Sequence, residues 1–310
     1  MRNINASSTF SLIIDDSKRW ICDVASNLDI SKLAEMHCVD EVTTIASHAA
    51  EAILRFDPAA ASRRFKSDGS PVTAADEAAN AIIIEELSRL LPNVPIVSEE
   101  SALSKGASSA LTSCFALVDP LDGTREFLAS RNEFTVNIAL LVDGAPLVGV
   151  IIAPARALVW RGVATRGAER FCLSPGANVS EATQRIPLNT RRRLPEDGLV
   201  AAVSRSHFDS RTAAMLSLLQ VDNETSCGSS IKFCRIAEGS VDIYPRLAPT
   251  HEWDIAAGHA IVAAAGGVVI APDGNPLVYG RADNEFIVPA FIALGNPAMS
   301  RVILAITASG

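Results

Sequence analysis

The chain has 310 residues, 48% of them hydrophobic and 20% charged, which excludes global disorder and supplies a core for one large domain or two sharing an interface. A formal net charge of −8 argues against non-specific nucleic-acid binding, which needs a basic face, so an anionic ligand must be met by metal or by a few placed cations.

Residues 1–38 carry weak signals and read as an N-terminal extension. FSLII at 10–14 is followed by Asp15 and Asp16 where a signal peptide would want small residues. That short run leaves room for a peripheral contact with the cytoplasmic face of the inner membrane, but no apolar run approaches the ~20 residues of a membrane span. The six cysteines (22, 38, 114, 172, 227 and 234) include no C-x-x-C pair. Zinc spacing is therefore absent, a chain this long needs no disulfide staples, and free thiols in a cytoplasmic protein are expected.

From Val42 the pattern sharpens. Val42, Ile45, Ala46, Ala49, Ile53 and Phe56 fall at helical spacing over 40–56. A second helix opens at Thr73, faces Ile82, Ile83, Leu87, Leu90 and Leu91 inward, and stops at Pro92. Strands are expected at 95–98, 115–118, 135–142, 146–152 and 157–160, with Asp143-Gly144 as a hairpin turn. Residues 174–195 read as a polar, turn-rich connector. Beyond it, strands at 199–204, 221–226, 242–246, 268–270 and 291–294 alternate with helices at 210–219, 230–238, 254–265 and 297–307. The first half is thus α+β and the second α/β, a layered arrangement of sheets and helices.

Acidic residues gather at the ends of these elements. Glu99 and Glu100 follow one strand, Asp119 and Asp122 follow another, and Asp76 and Asp254 sit in the first turns of helices. Ligands collect at such strand and helix ends in layered α/β proteins. Each has a simpler reading: Asp76 as a capping-box partner of Thr73, Asp254 as a dipole partner, Glu99-Glu100 as a solvated pair, and Asp122-Gly123 as a turn. Were they to converge, two carboxylates ~5 Å apart at an effective dielectric of ~20 would repel by roughly 3 kcal/mol, so cations or protons would have to intervene. Oxygen donors without His or Cys suit magnesium rather than zinc.

Four stretches, DGSPVTAAD (68–76), VSEES (97–101), DPLDGTREF (119–127) and WDIAAGHAIVAAAGG (253–267), resemble the magnesium-dependent, lithium-sensitive phosphomonoesterases of the inositol monophosphatase superfamily. GSSIKFCRIAEGSVDIYPR (228–246), AVSRSH (202–207) and Lys66 resemble the bacterial 3′(2′),5′-bisphosphate nucleotidases of the CysQ type within it.

This resemblance implies a five-layered αβαβα sandwich, with residues 39–178 as an α+β domain holding most metal ligands. Residues 179–310 would form an α/β domain with the nucleotide-binding residues and Asp254. It implies one magnesium on Glu99, Asp119 and the Leu121 carbonyl, a second on Asp119, Asp122 and Asp254, and room for a weaker third near Asp76 and Glu99. Asp76 and the Thr124 hydroxyl would activate the attacking water. Backbone N–H groups of Gly123 and Thr124 would cradle phosphate. Glu99, Leu121, Asp122, Asp254, His207, Ser229, Ser230, Lys232 and Arg246 would also face the substrate.

A bisphosphate needs cations for its second phosphate, and Lys232 and Arg246 are the candidates, with Ser229 and Ser230 as donors. Read alone, Lys232 could be a surface lysine, Arg246 the partner of a core carboxylate, and His207 a loop residue. The expected activity is removal of the 3′-phosphate of adenosine 3′,5′-bisphosphate, giving AMP and phosphate in sulfur assimilation. Inositol monophosphatase, then fructose-1,6-bisphosphatase, are the alternatives within the same chemistry, and a non-catalytic nucleotide sensor is the alternative outside it.

Overall fold

The structure, a computed structural model, describes residues 30–60, 64–65, 71–101, 112–206 and 208–307. After a four-residue helical turn at Ile30–Leu33, helix α1 (Met36–Leu54) begins inside the stretch read as an extension, and α2 (Ala74–Leu90) follows. Seven strands then form one sheet: β1 (Ile96–Ser98), β2 (Cys114–Asp122), β3 (Thr135–Val142), β4 (Ala145–Ala153), β5 (Leu158–Val163), β6 (Gly167–Cys172) and β7 (Thr183–Leu188). They lie in chain order, β1 parallel to β2 and the remaining neighbours antiparallel. At the β3–β4 turn, Asp143 and Gly144 both have positive φ (50° and 73°), the geometry that an Asp-Gly hairpin favours.

β7 is a correction. Thr183–Leu188 falls in the stretch read as a connector, yet it supplies the outer strand of this sheet. All but its last residue are exposed, so it carries no apolar alternation, and Pro187 is tolerated because an edge strand needs fewer ladder donors.

The second sheet contains β8 (Val200–Ser204), β9 (Asn223–Cys227), β10 (Ile243–Arg246), β11 (Val268–Ile270) and β12 (Phe291–Leu294), in the order β9-β8-β10-β12-β11. Its helices are α4 (Ser210–Leu218), α5 (Ile231–Ala237), α6 (Glu252–Ala264) and α7 (Met299–Thr307), while the short α3 (Thr124–Leu128) follows β2.

Strand alternation sorts the side chains into three apolar cores, and these define five layers. Ala116, Val118, Ile138 and Val150 point toward α1 and α2, whereas Phe115, Leu117, Ala139 and Ile151 point toward the second sheet. In that sheet Tyr244, Phe291 and Ala293 face inward, and Ile243, Ile292 and Leu294 face the outer helices α4 and α7. The result is the αβαβα sandwich, with α5 and α6 as its middle layer.

α6 lies between two sheets, which explains its alanine-rich sequence: it is apolar on almost every side and must approach both neighbours closely. Glycine permits that approach. A Cβ added at Gly149 of β4 would lie 2.2 Å from the Ala257 carbonyl oxygen, and one at Gly162 of β5 would lie 2.8 Å from the Ile261 Cα. The N-terminus of α6, which carries Asp254, is thereby brought against the end of β2.

Candidate active site

β2 is irregular at the point where its acids begin. Asp119 pairs with Asn137 and Asp122 with Thr135, so Pro120 and Leu121 together oppose one residue, Val136. This β-bulge accommodates a proline that has no N–H to give the ladder. It also turns the chain so that Leu121 N donates to Asp119 Oδ1 at 3.0 Å. Gly123 follows with φ of 93° and starts α3, bringing Thr124 back over the bulge. The Thr124 hydroxyl lies 3.0 Å from Asp76 Oδ1 and 3.3 Å from the Leu121 carbonyl oxygen.

Asp76 fulfils both readings of its sequence position. Its Oδ2 accepts from Thr73 N (2.8 Å) and Thr73 Oγ1 (2.7 Å) as part of a capping box, leaving Oδ1 for Thr124. Asp76 is buried, and burial pushes its pKa above the ordinary carboxylate value, with Glu100 adding repulsion and the Thr73 hydrogen bonds opposing.

Glu99, Asp119, Asp122 and Asp254 line one cavity of about 330 Å³, together with Thr124 and Gly123. Residues separated by 155 positions in sequence thus share a single site. Asp122 Oδ2 accepts from Ser230 Oγ at 2.6 Å and Asn137 Nδ2 at 3.3 Å. Burial first, and then the neighbouring Asp254, push its pKa up to about 6 against the opposing effects of Ser230, Lys232 and Asn137. Asp254 Oδ2 accepts from the Thr250 hydroxyl and from His251 N.

These acids offer only oxygen donors and repel one another, the chemistry that a hard divalent cation relieves. Among the described residues no three His, Cys, Asp or Glu side chains are grouped so that they could hold a metal ion as they stand. Instead the acids face a shared space, and the hydrogen bonds to Asp122 and Asp254 orient their carboxylates.

The same cavity is also lined by cations. Lys232 is buried, not a surface residue: its Nζ donates to the Ser229 carbonyl (2.6 Å) and the Cys227 carbonyl (3.3 Å), and stands 5.2 Å from the centre of the Tyr244 ring. Arg246 donates to the Pro249 carbonyl at 3.1 Å, and its buried Nε has no hydrogen-bond partner among the described residues. Neither forms an ion pair among the described residues. Both line the cavity, as does Ser229, whose buried hydroxyl also has no hydrogen-bond partner among the described residues.

Ser230 differs from expectation. Its hydroxyl is buried, donates to Asp122 and accepts from Asn137 Nδ2 at 2.7 Å, so it orients a carboxylate and does not point into the cavity. His207, Lys66 and residues 68–70 lie outside the described residues. Sequence reasoning missed Asn137, Thr250 and His251, which hold Asp122 and Asp254. Thr250 stands four residues before Asp254 but in a two-residue strand ahead of the helix, so no helical spacing signalled the contact.

Residues 35–304 match the model of the inositol monophosphatase family, and the chain belongs to that family. Curated relatives include the 3′(2′),5′-bisphosphate nucleotidases CysQ of Escherichia coli and Salmonella typhimurium. Each is 38% identical over 255 residues, covering 82% of this chain and 98% of the relative. Among solved structures, CysQ from Bacteroides thetaiotaomicron, a bacterial member of the same family, aligns with a TM-score of 0.66 at 34% identity, over 84% of this chain and 97% of that one. An inositol monophosphatase from Anabaena, at 23% identity and a TM-score of 0.68 over 88% and 96% of the two chains, shares the fold. No helix among the described residues is long and apolar enough to cross a membrane.

Proposed function

We propose that the chain is a 3′(2′),5′-bisphosphate nucleotidase that removes the 3′-phosphate of adenosine 3′,5′-bisphosphate, giving AMP and phosphate. The observation that carries this reading is that one cavity is lined both by the acids and by two cations, Lys232 and Arg246, neither used in an ion pair among the described residues. A monoester needs no second group of cations. A bisphosphate does, and buried charge-assisted donors supply both affinity and register.

Magnesium fits the acid wall. Glu99, Asp119 and the Leu121 carbonyl would hold one ion, and Asp119, Asp122 and Asp254 a second, with room for a third near Asp76 and Glu99. Bound there, the ions would neutralise the transferring phosphate and stabilise the entering and leaving oxygens.

The chain's own residues do the remainder. The Thr124 hydroxyl donates to Asp76, so its free lone pairs accept a proton from a water on the cavity side, while its own proton passes to Asp76 Oδ1. The raised pKa of Asp76 makes it a better proton acceptor than an exposed aspartate. Backbone N–H groups of Gly123 and Thr124 at the start of α3 face the phosphate oxygens. A proton-transfer pair of this kind is what a nucleotide sensor would not need. Ser230 contributes through Asp122, and His207, outside the described residues, is proposed as a substrate-binding residue on the sequence resemblance alone.

Phosphate release from adenosine 3′,5′-bisphosphate, inositol 1-phosphate and fructose 1,6-bisphosphate at equal magnesium tests the proposal. The nucleotide is expected to give the highest kcat/KM, and inositol 1-phosphate as the best substrate would overturn it.

A further inference from the structure

Glu133 does not line the catalytic cavity, yet it is tied to the loop that does. It stands two residues before β3, in the loop that leads into the first sheet, and its side chain is 19% exposed. Oε2 accepts from Gly228 N at 3.0 Å and from Arg205 Nη1, while Oε1 lies 3.3 Å from Arg156 Nη2. Arg205 in turn donates Nη2 to the Ser226 carbonyl at 3.1 Å. One carboxylate at the entry to the first sheet therefore holds both ends of the connection that leads into Ser229. Burial alone would raise the pKa of Glu133, but the bonds from Arg205 and Gly228 outweigh it and hold the carboxyl below its ordinary value.

From the opposite side, Lys232 Nζ holds the same loop through the Ser229 and Cys227 carbonyls. The backbone between these two anchors is strained and crowded. Ser229 has φ of 47°, uncommon for a residue with a side chain, and such conformations persist only when their surroundings fix them. A Cβ added at Gly228 would lie 2.6 Å from Glu126 Cγ and 3.0 Å from the Glu133 carbonyl oxygen, so only glycine fits there. The clamp presents the Ser229 hydroxyl and the Lys232 ammonium to the cavity together.

We infer that Glu133 is a positioning residue for the wall that receives the second phosphate, acting through Arg205 and Gly228 to set the preference for bisphosphate over monophosphate substrates. This rests on the bisphosphate reading above.

The test uses the full-length enzyme, adenosine 3′,5′-bisphosphate and adenosine 3′-monophosphate. Glu133→Gln keeps the side chain's shape and an acceptor for Gly228 N but removes the charge that holds Arg205. Arg205→Met removes the pair from the other side. Each is expected to raise KM for the bisphosphate about 10-fold, the range of one charge-assisted hydrogen bond. The kcat, the magnesium dependence and the kinetics on the monophosphate should stay within about 2-fold. The double variant should be no worse than either single one, because both break the same contact.

An unchanged KM for the bisphosphate in folded Arg205→Met protein would overturn the inference, as would equal losses on both substrates or additive losses in the double variant. Melting temperatures taken alongside identify a variant that fails to fold, in which case the other one decides. If the unmodified enzyme does not prefer the bisphosphate at all, the function itself is wrong, and that result is read before any variant is made.

Discussion

Replacing Lys232 by Met separates binding of the second phosphate from chemistry at the first. The residue is 3% exposed, and its ammonium is bonded to two carbonyls and set near the Tyr244 ring, without an ion-pair partner among the described residues. Burying a charge costs several kcal/mol, and the two carbonyls and the ring offset only part of it. Methionine is of similar length and removes cost and compensation together, so stability should change by no more than about 1 kcal/mol. Binding should change far more. A charge-assisted bond to phosphate contributes about 1.5–3 kcal/mol, which converts to a roughly 10- to 100-fold loss in kcat/KM for adenosine 3′,5′-bisphosphate. Lys232 also lowers the pKa of Asp122, so the assay needs saturating magnesium to remove that indirect effect. Phosphate release from adenosine 3′-monophosphate should then fall by less than about 3-fold. Equal losses on the two substrates would refute the reasoning, because they would place Lys232 at the reacting phosphate or in the fold alone.

Asp122→Asn should abolish turnover with the fold retained. Because Asp122 titrates near pH 6 in the folded chain against an ordinary value of 3.8, the fold favours the protonated carboxyl. Metal-free protein should therefore lose on the order of 2–3 kcal/mol of stability as pH rises from about 4 to 6, and Asp122→Asn should flatten that slope in thermal melts with chelator present. Thr250→Val removes the hydroxyl that orients Asp254 and should shift the magnesium midpoint of activity about 10-fold upward, whereas an unchanged midpoint would show that Asp254 needs no such support. Gly149→Ala places a methyl 2.2 Å from the Ala257 carbonyl and should cost about 3 kcal/mol in denaturant unfolding while displacing the helix that carries Asp254.

Most helices and central strands were legible because their apolar residues repeat at 3.6 or 2. β3, β11 and β12 fall where TVNIALLV, VVI and FIAL place them. β7 was not legible, since an exposed edge strand buries neither face. The acids were visible as residue types at element ends, but their convergence depends on the bulge at Pro120-Leu121 and on how closely α6 packs through Gly149 and Gly162. Those are properties of tertiary packing. Ser230 shows the limit most clearly: its place in the GSSIK motif suggested a ligand donor, whereas its hydroxyl is committed to Asp122 by a distance that no local pattern encodes. The partners of Asp254 were hidden for a related reason, because Thr250 and His251 precede the helix in a two-residue strand paired with Ile287–Val288.

The central claim is that the acids of the β2 bulge and of α6 form one divalent-metal site. Anomalous diffraction from crystals soaked in manganese, a stand-in for magnesium with the same oxygen preference, tests it most directly. The account predicts one peak among Glu99, Asp119 and the Leu121 carbonyl and another among Asp119, Asp122 and Asp254. Manganese bound elsewhere, with those carboxylates free of metal, would contradict it.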